Sequence, residues 1–392
     1  MTSIIVSPTQ SGKTKYIQDL SFSALNDKKS VFIVLRNITA DKLQFCKRWS
    51  FPVSLNCYNF ITVEPSIYIC LSNVQQLSKM YCTIERITHN FIVILDEADL
   101  IYLDKKDCKQ STMLYDEMYK NLYLTHKYYI TATPFSLFKY VPDIKCKNIC
   151  FLDKKDLYIG FDKIKKWHIL GNSVKRLTKT DKSEEYCKIY LELLDYVLKR
   201  ESHQIVLFNC TSLIILQEKI GKDFFINYDV NVIIDHGEYT TLYSKDKIPV
   251  YSGENSGIDY TYKFKKIQIK DILRTLKKYS ESRKVVIVSG IKAGRGQSYK
   301  TEDAQEWHLT DLVYLPPVYQ TCETLIQACG RITGIYEKDH KNLHIWTSRR
   351  AKNSILEYID YQTCIMKECK IYDGNISDLN DKFKYSGSFK IS

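Results

Sequence analysis

What most limits the fold of this chain is a series of short, almost unbroken apolar runs, each followed by a turn or a helix-like stretch. In the first half these are SIIV (3–6), SVFIVL (30–35), SIYICL (66–71), FIVILD (91–96) and KYYITA (127–132). Runs this short, rich in β-branched and aromatic residues and free of polar alternation, fit strands buried on both faces of a parallel sheet. The second half repeats the pattern with QIVLFN (204–209), VNVIID (230–235), KVVIVS (284–289), DLVYL (311–315) and HIWT (344–347). Strand-then-helix repetition predicts doubly wound α/β domains. The 392 residues suffice for two of them, since a domain takes ~100–200 residues. The expected bounds are 1–150 and 201–350 for the two domains. Between them, 151–200 reads as a linker rich in Lys, Asp and Tyr that ends in the helical pattern EEYCKIYLELLDYVLKR. The last stretch, 351–392, reads as a short tail whose helical part is SILEYIDYQTCIMKE.

Composition narrows the class. Hydrophobic residues make up 44% of the chain and charged residues 26%, which favours neither disorder nor a membrane protein. No apolar run approaches the ~18 residues of a membrane span, and Ser, Pro and Gln come too early for a secretory leader. An intracellular protein with no membrane partner is expected. The 13 cysteines are scattered without a C-x-x-C pair, and Cys146/Cys150 and Cys364/Cys369 match no common zinc spacing. Free, mostly buried thiols in a reducing compartment are therefore expected. The 8 histidines are equally dispersed and none is assigned to a metal. A net charge of +12 fits a surface for polyanions but also serves solubility.

Two short motifs carry chemistry. The stretch SPTQSGKT (7–14) follows the first apolar run and precedes the helical KYIQDL. It matches G-x-x-x-x-G-K-[ST] except that Ser7 stands for the first glycine. In such a loop the backbone N–H groups of Gln10, Ser11 and Gly12 wrap phosphate oxygens at a helix N-terminus. Lys13 reaches the β/γ-phosphates and Thr14 places its hydroxyl on Mg²⁺. The bland alternative is a surface turn that contains GKT. The second motif, FIVILDEADL, ends an apolar strand on Asp96 and Glu97, at the sheet edge where open α/β sheets bind ligands. Asp96 is then a Mg²⁺ ligand, and Glu97 positions or deprotonates an attacking water. Its alternative is an acidic cap before a helix. Together the two motifs imply a shared ligand, ATP with Mg²⁺.

With these residues in place, the chain resembles the superfamily-two helicases and related nucleic-acid-dependent ATPases. In that comparison SPTQSGKT is motif I, DEAD (96–99) is motif II, and Thr131-Ala132-Thr133-Pro134 is similar to motif III, whose threonine pair couples hydrolysis to movement. SGIKAGRGQS resembles motif V and QACGRITG motif VI, and the five follow the family order over about residues 1–350. The resemblance implies two tandem RecA-like domains, each a mostly parallel sheet flanked by helices, with ATP and Mg²⁺ bound in a cleft between them. It implies Arg331 as the guanidinium that stabilises the transferring phosphoryl group, with Arg295 second. For either arginine alone, a solvated salt bridge is the commoner role. It also implies nucleic-acid contacts at Arg36 and Asn37 (motif Ia), Ser72 and Asn73 (motif Ib), and Asn209 and Thr211 (motif IV). Such side chains at strand ends suit the sugar-phosphate backbone, and ordinary turn chemistry is an almost equal alternative.

The departures from the family pattern carry information too. Ser7 replaces Ala, and Gln10 replaces a Gly, which matters if that position needs positive φ. Motif VI holds Arg331 alone where relatives commonly have more arginines, so slow hydrolysis or a partner's arginine is implied. The loop lies too near the start for the upstream glutamine motif by which DEAD-box RNA helicases read adenine. The layout looks more like the enzymes of phages and large DNA viruses, or the ATPases of bacterial restriction systems. That comparison implies DNA before RNA as the partner, and a viral protein acting in a host cell as one setting. The expected function is an ATP-dependent helicase or translocase. The rival is a helicase-like protein with weak or no hydrolysis that acts as a nucleic-acid-binding or assembly factor. A P-loop kinase is a third reading, and the second half of the chain argues against it.

Overall fold

The computed structural model describes residues 1–9, 11–36, 45, 64–99, 108–153, 157–178, 183–200, 203–236, 239–255, 260–265, 267–290, 299, 301, 307–317, 319–336 and 343–383. The chain divides into two compact units. One holds Met1–Lys154 together with Gln362–Gly387, and the other holds Lys155–Tyr361.

In the first unit, six strands form one sheet: β1 (Thr2–Val6), β2 (Ser30–Leu35), β3 (Ile67–Leu71), β4 (Phe91–Asp96), β5 (Leu124–Thr131) and β6 (Ile149–Phe151). Their order is β3-β2-β4-β5-β1-β6, and every pairing is parallel. β2 and β3 are buried along their whole length, as strands covered on both faces must be. Helices α1 (Lys13–Asn26), α2 (Val74–Ile84), α3 (Cys108–Tyr119) and α4 (Pro134–Tyr140) flank the sheet. On one face Ile17 and Ala24 of α1 pack with Ile5, Ile33, Ile69, Ile94 and Ile130. By strand alternation Phe32 faces the other side, where it stacks on Tyr68 at 4.7 Å and meets Phe91 edge-on at 5.4 Å. Local chemistry sets the helix starts: the Asn73 side chain accepts from the Gln76 N–H at 3.0 Å to cap α2, and Pro134 opens α4. β5 separates the loop-bearing β1 from the acid-bearing β4, which is the RecA-like order.

The second unit contains β7 (Tyr158–Ile159), β8 (Lys166–Ile169), β9 (Gln204–Asn209), β10 (Asn231–Asp235), β11 (Tyr239–Ser244), β12 (Glu254–Asn255), β13 (Tyr260–Lys265), β14 (Lys284–Ser289), β15 (Asp311–Tyr314), β16 (Gly334–Ile335) and β17 (His344–Thr347). Its main sheet runs β12-β13-β11-β10-β14-β9-β15-β17-β8. From β10 to β8 the pairings are parallel, whereas β11, β13 and β12 extend the sheet antiparallel. β7 and β16 make a separate antiparallel pair. The remaining helices are α5 (Ser183–Leu198), α6 (Ile214–Asn227), α7 (Ile269–Tyr279), α8 (Cys322–Cys329), α9 (Arg349–Cys369) and α10 (Ile376–Phe383). Tyr190 and Leu194 of α5 and Phe224 of α6 pack on Phe208, Ile234, Val286 and Val313 of the sheet.

The architecture is the expected one, two RecA-like α/β domains, with three differences of detail. The stretch 151–200, expected as a linker that ends in a helix, carries that helix as α5 and also holds β7 and β8. β8 (KWHI) is a half-exposed edge strand, so it has no continuous apolar run to betray it. β11 and β13 were not expected either. β13 (YTYKFK) alternates apolar and polar residues, as strands of an antiparallel sheet do, whereas β11 (YTTLYS) does not. The C-terminal segment is also no free tail: beyond α9, Cys146 N–H donates to Gly374 O and Ile376 N–H to Ile144 O, each at 2.9 Å within the first unit.

Among the described residues, none of these cysteines is in a disulfide: Cys70, Cys146, Cys210, Cys322, Cys329 and Cys369 are buried, and Cys82, Cys150 and Cys364 are exposed. No helix among them is long and apolar enough to cross a membrane.

Candidate active site

The loop after β1 is built against the end of β5. Ser7 N–H donates to Thr131 O at 2.9 Å, which sets the first loop residue beside the threonine pair. Ser7 is buried. Its Oγ lies 2.5 Å from Ser11 Oγ, and Ser11 Oγ in turn donates to Pro8 O at 2.6 Å. The residue that replaces the first glycine therefore braces the loop through its hydroxyl. Gly12 precedes α1 at φ 104°, and an added Cβ there would meet nothing within 4 Å. Glycine is required at this point by the left-handed backbone, not by crowding. No side chain caps α1, so the first-turn N–H groups of the helix face the loop as an anion site does. Thr14 follows Lys13 in that first turn, half-buried. Gln10 lies outside the described residues.

Strand β4 delivers the acids to the same place. The Lys13 ammonium pairs with Glu97 Oε1, and both groups are largely shielded from water. Asp96 Oδ1 accepts the Glu97 N–H at 3.1 Å. Glu97 itself has φ 53°, a left-handed conformation that is uncommon for a long side chain and marks local strain. Asp99 is fully buried. It accepts from Thr131 Oγ1 at 2.5 Å and from Thr133 Oγ1 at 2.6 Å, while Thr133 N–H donates to Thr131 Oγ1 at 2.9 Å. Asp99 was missed as a site residue. The signal for it was present: the fourth letter of DEAD lies one helical turn beyond Asp96, and two hydroxyl residues stand at the end of the neighbouring strand.

Charge is out of balance here. Burial raises the Asp96 carboxyl to about 6, with Glu97 adding to the effect and Lys13 and Arg36 opposing it. Burial and the Glu97 charge raise Asp99 to about 7 against the pull of both threonines and Lys13. Burial alone would lower Lys13, but the carboxylates of Glu97, Asp96 and Asp99 outweigh it, and its affinity for the proton is raised. Three carboxyl groups share one ammonium.

The other expected residues divide into three groups. Arg36, directly after β2, acts electrostatically on Asp96 and so belongs to the site's margin. Ser72 N–H donates to Leu35 O at 2.7 Å, and the Asn73 side chain is used as the α2 cap. In the second unit, Asn209 and Thr211, expected at the nucleic-acid backbone, make hydrogen bonds within the unit. Both are buried. Asn209 accepts from Arg176 Nη1 at 2.9 Å and donates to Gly290 O at 3.2 Å. Thr211 Oγ1 donates to Leu177 O and accepts from Leu213 N–H, each at 3.2 Å. Each side chain thus serves local turn chemistry as well. Arg331 sits half-buried in the short 3₁₀ turn Gly330–Ile332 after α8, where its charge opposes the burial-driven rise of the Tyr299 phenol. Asn37 and Arg295 lie outside the described residues.

No family model matches the chain, and no curated protein does. Among solved structures it is similar to S. cerevisiae Dbp5 bound to RNA and ADP BeF3, at 15% identity and a TM-score of 0.48, over 92% of this chain and 83% of that one. It is also similar to the Pyrococcus furiosus Hef helicase domain, at 11% identity and a TM-score of 0.45, over 92% of this chain and 94% of that one.

Proposed function

We propose that this protein is a nucleic-acid-stimulated ATPase, a helicase or translocase that hydrolyses ATP to move along or unwind nucleic acid, with DNA as the expected track. The observation that carries this reading is the convergence of a left-handed Gly12 at a helix start, Lys13, the half-buried acids Asp96 and Glu97 and the buried Asp99 on one sheet edge. The residues fit the ligands. The loop amides and Lys13 would hold a triphosphate, and Thr14 with Asp96 would hold Mg²⁺, whose positive charge would offset the excess of carboxylates. Among the described residues no group of three or more His, Cys, Asp or Glu could cage a metal alone. That accords with Mg²⁺ held by one carboxylate together with phosphate oxygens.

Glu97 is the group to orient and deprotonate water. It pairs with Lys13, so a phosphate that draws Lys13 to itself would also release Glu97 for that task. Asp99 fixes Thr131 and Thr133, and the Ser7–Thr131 bond ties this pair to the loop. A change at the loop thus has a direct route into the threonine pair, which supports its coupling role. Arg331 is the preferred guanidinium for the transferring phosphoryl group, with Arg295 as the alternate.

The second reading, a catalytically weak assembly factor, draws on the Lys13–Glu97 pair, which occupies both groups at once. Lys13→Ala should abolish nucleotide binding and turnover, whereas Glu97→Gln should abolish turnover and leave nucleotide binding in place. Loss of binding in Glu97→Gln would count against its assignment as the base.

A further inference from the structure

The net charge of +12 is unevenly spread. Residues 245–284, a tenth of the chain, hold 11 Lys and Arg against 5 Asp and Glu, half of the total excess. In the fold this stretch forms β12, β13 and α7, beyond the parallel run of the second unit. α7 buries Ile269, Ile272, Leu273 and Leu276. On its other side lie Lys270, Arg274, Lys277 and Lys278, at the spacing that shares one helix face. Arg274 and Lys278 are exposed, and Lys270 and Lys277 are half-exposed. From Lys270 to Lys278 the helix sets these cations along ~12 Å. The helix is held firmly: Tyr251 hydrogen-bonds Thr275 at 3.0 Å and packs edge-on to Phe264 at 4.6 Å.

Acids lie nearby but are outnumbered across this stretch. Asp271 lies 3.5 Å from Arg274. Asp246 accepts from Ser280 Oγ at 2.7 Å and from the Glu281 N–H at 2.9 Å, so it is engaged in the turn after α7. Its neighbour Lys247 stays exposed at that end, and Glu281 follows the helix. Interaction with the helix dipole explains cations in the last turn, such as Lys277 and Lys278. It does not explain Lys270, which stands in the first turn, where a cation is disfavoured.

We infer that the exposed face of α7, together with Lys247, is a second nucleic-acid surface that grips the sugar-phosphate backbone outside the ATPase motifs. The inference rests on the proposed function. A line of flexible cations suits phosphates in a sequence-independent way.

The test is binding of the full chain to duplex DNA, single-stranded DNA and RNA over a salt series, with polyglutamate as a control polyanion. The Lys270→Gln/Arg274→Gln/Lys278→Gln variant should give a log–log salt slope shallower by about 2 to 3 on its preferred nucleic acid, at ~0.7–0.9 per phosphate lost. Lys270→Gln alone, which removes no helix-dipole contact, should give about a third of that change and serves if the triple variant loses its fold. Nucleic-acid binding by the wild type with an unchanged slope in both variants overturns this inference alone. Absence of wild-type binding to any nucleic acid overturns the proposed function with it. Equal affinity for polyglutamate would mark the face as a site for acidic proteins instead.

Discussion

Thr131 and Thr133 both donate to Asp99, but they are not equivalent. Thr131 Oγ1 donates to Asp99 at 2.5 Å and also accepts the Thr133 N–H at 2.9 Å, whereas Thr133 Oγ1 donates to the other carboxyl oxygen at 2.6 Å. Valine keeps the shape of threonine and removes the hydroxyl. Thr133→Val loses a bond to a buried carboxylate, about 1.5–3 kcal/mol. Thr131→Val loses such a bond and also takes an acceptor from a buried N–H, a further ~1–3 kcal/mol, for a total of roughly 3–6 kcal/mol. The costs should also depend on pH. Burial raises the Asp99 carboxyl from 3.8 to about 7, so its contribution to stability is complete below about pH 4 and is lost as pH rises through about 7. Both threonines favour the charged form. Each valine variant therefore raises the carboxyl further and costs more at pH 8 than at pH 5. Urea denaturation of both variants at these two pH values measures the effect. Equal costs at the two positions, or a larger cost for Thr131→Val at pH 5, would refute the reasoning.

Three further outcomes are expected. Arg36→Ala removes a charge that holds Asp96 down, so the acid limb of the kcat/KM profile should move to higher pH than in the wild type; an unmoved limb would separate Arg36 from Asp96. Gly12→Ala forces a Cβ into φ 104° and should cost about 1–2 kcal/mol of stability, read by thermal unfolding, together with weaker ADP binding. Asn209→Ala and Thr211→Val should each lower stability by about 1–3 kcal/mol and leave nucleic-acid affinity unchanged in a direct binding assay. Loss of affinity at an unchanged melting temperature would restore these two residues as contacts.

The parts of the fold legible in the sequence are those with only one physical solution. SVFIVL and FIVILD have no polar face to expose, so they must be central parallel strands, and that is where β2 and β4 lie. YTTLYS has no regular alternation, so in sequence it fits a strand, a surface loop or a short helix, and only the β10–β11 pairing decides. In the site, Lys13, Asp96 and Glu97 were readable because their chemistry depends on residue type and spacing. Their arrangement was not readable, since the Lys13–Glu97 contact brings together residues 84 positions apart. Asp99 was passed over because an acid at the end of DEAD has no evident ligand until Thr131 and Thr133 are placed against it. For Asn209 and Thr211, a polar side chain after a strand looks available in sequence, and only the fold reveals that both are buried.

The central claim is that one sheet edge of this chain turns over ATP in a manner coupled to nucleic acid. Phosphate release by the full chain with Mg²⁺ and ATP, measured alone and with single-stranded DNA, duplex DNA and RNA, tests it most directly. The account predicts that at least one nucleic acid stimulates release and that Glu97→Gln eliminates it. Release at the same rate with and without every nucleic acid, or no release at all from the wild type, would contradict it.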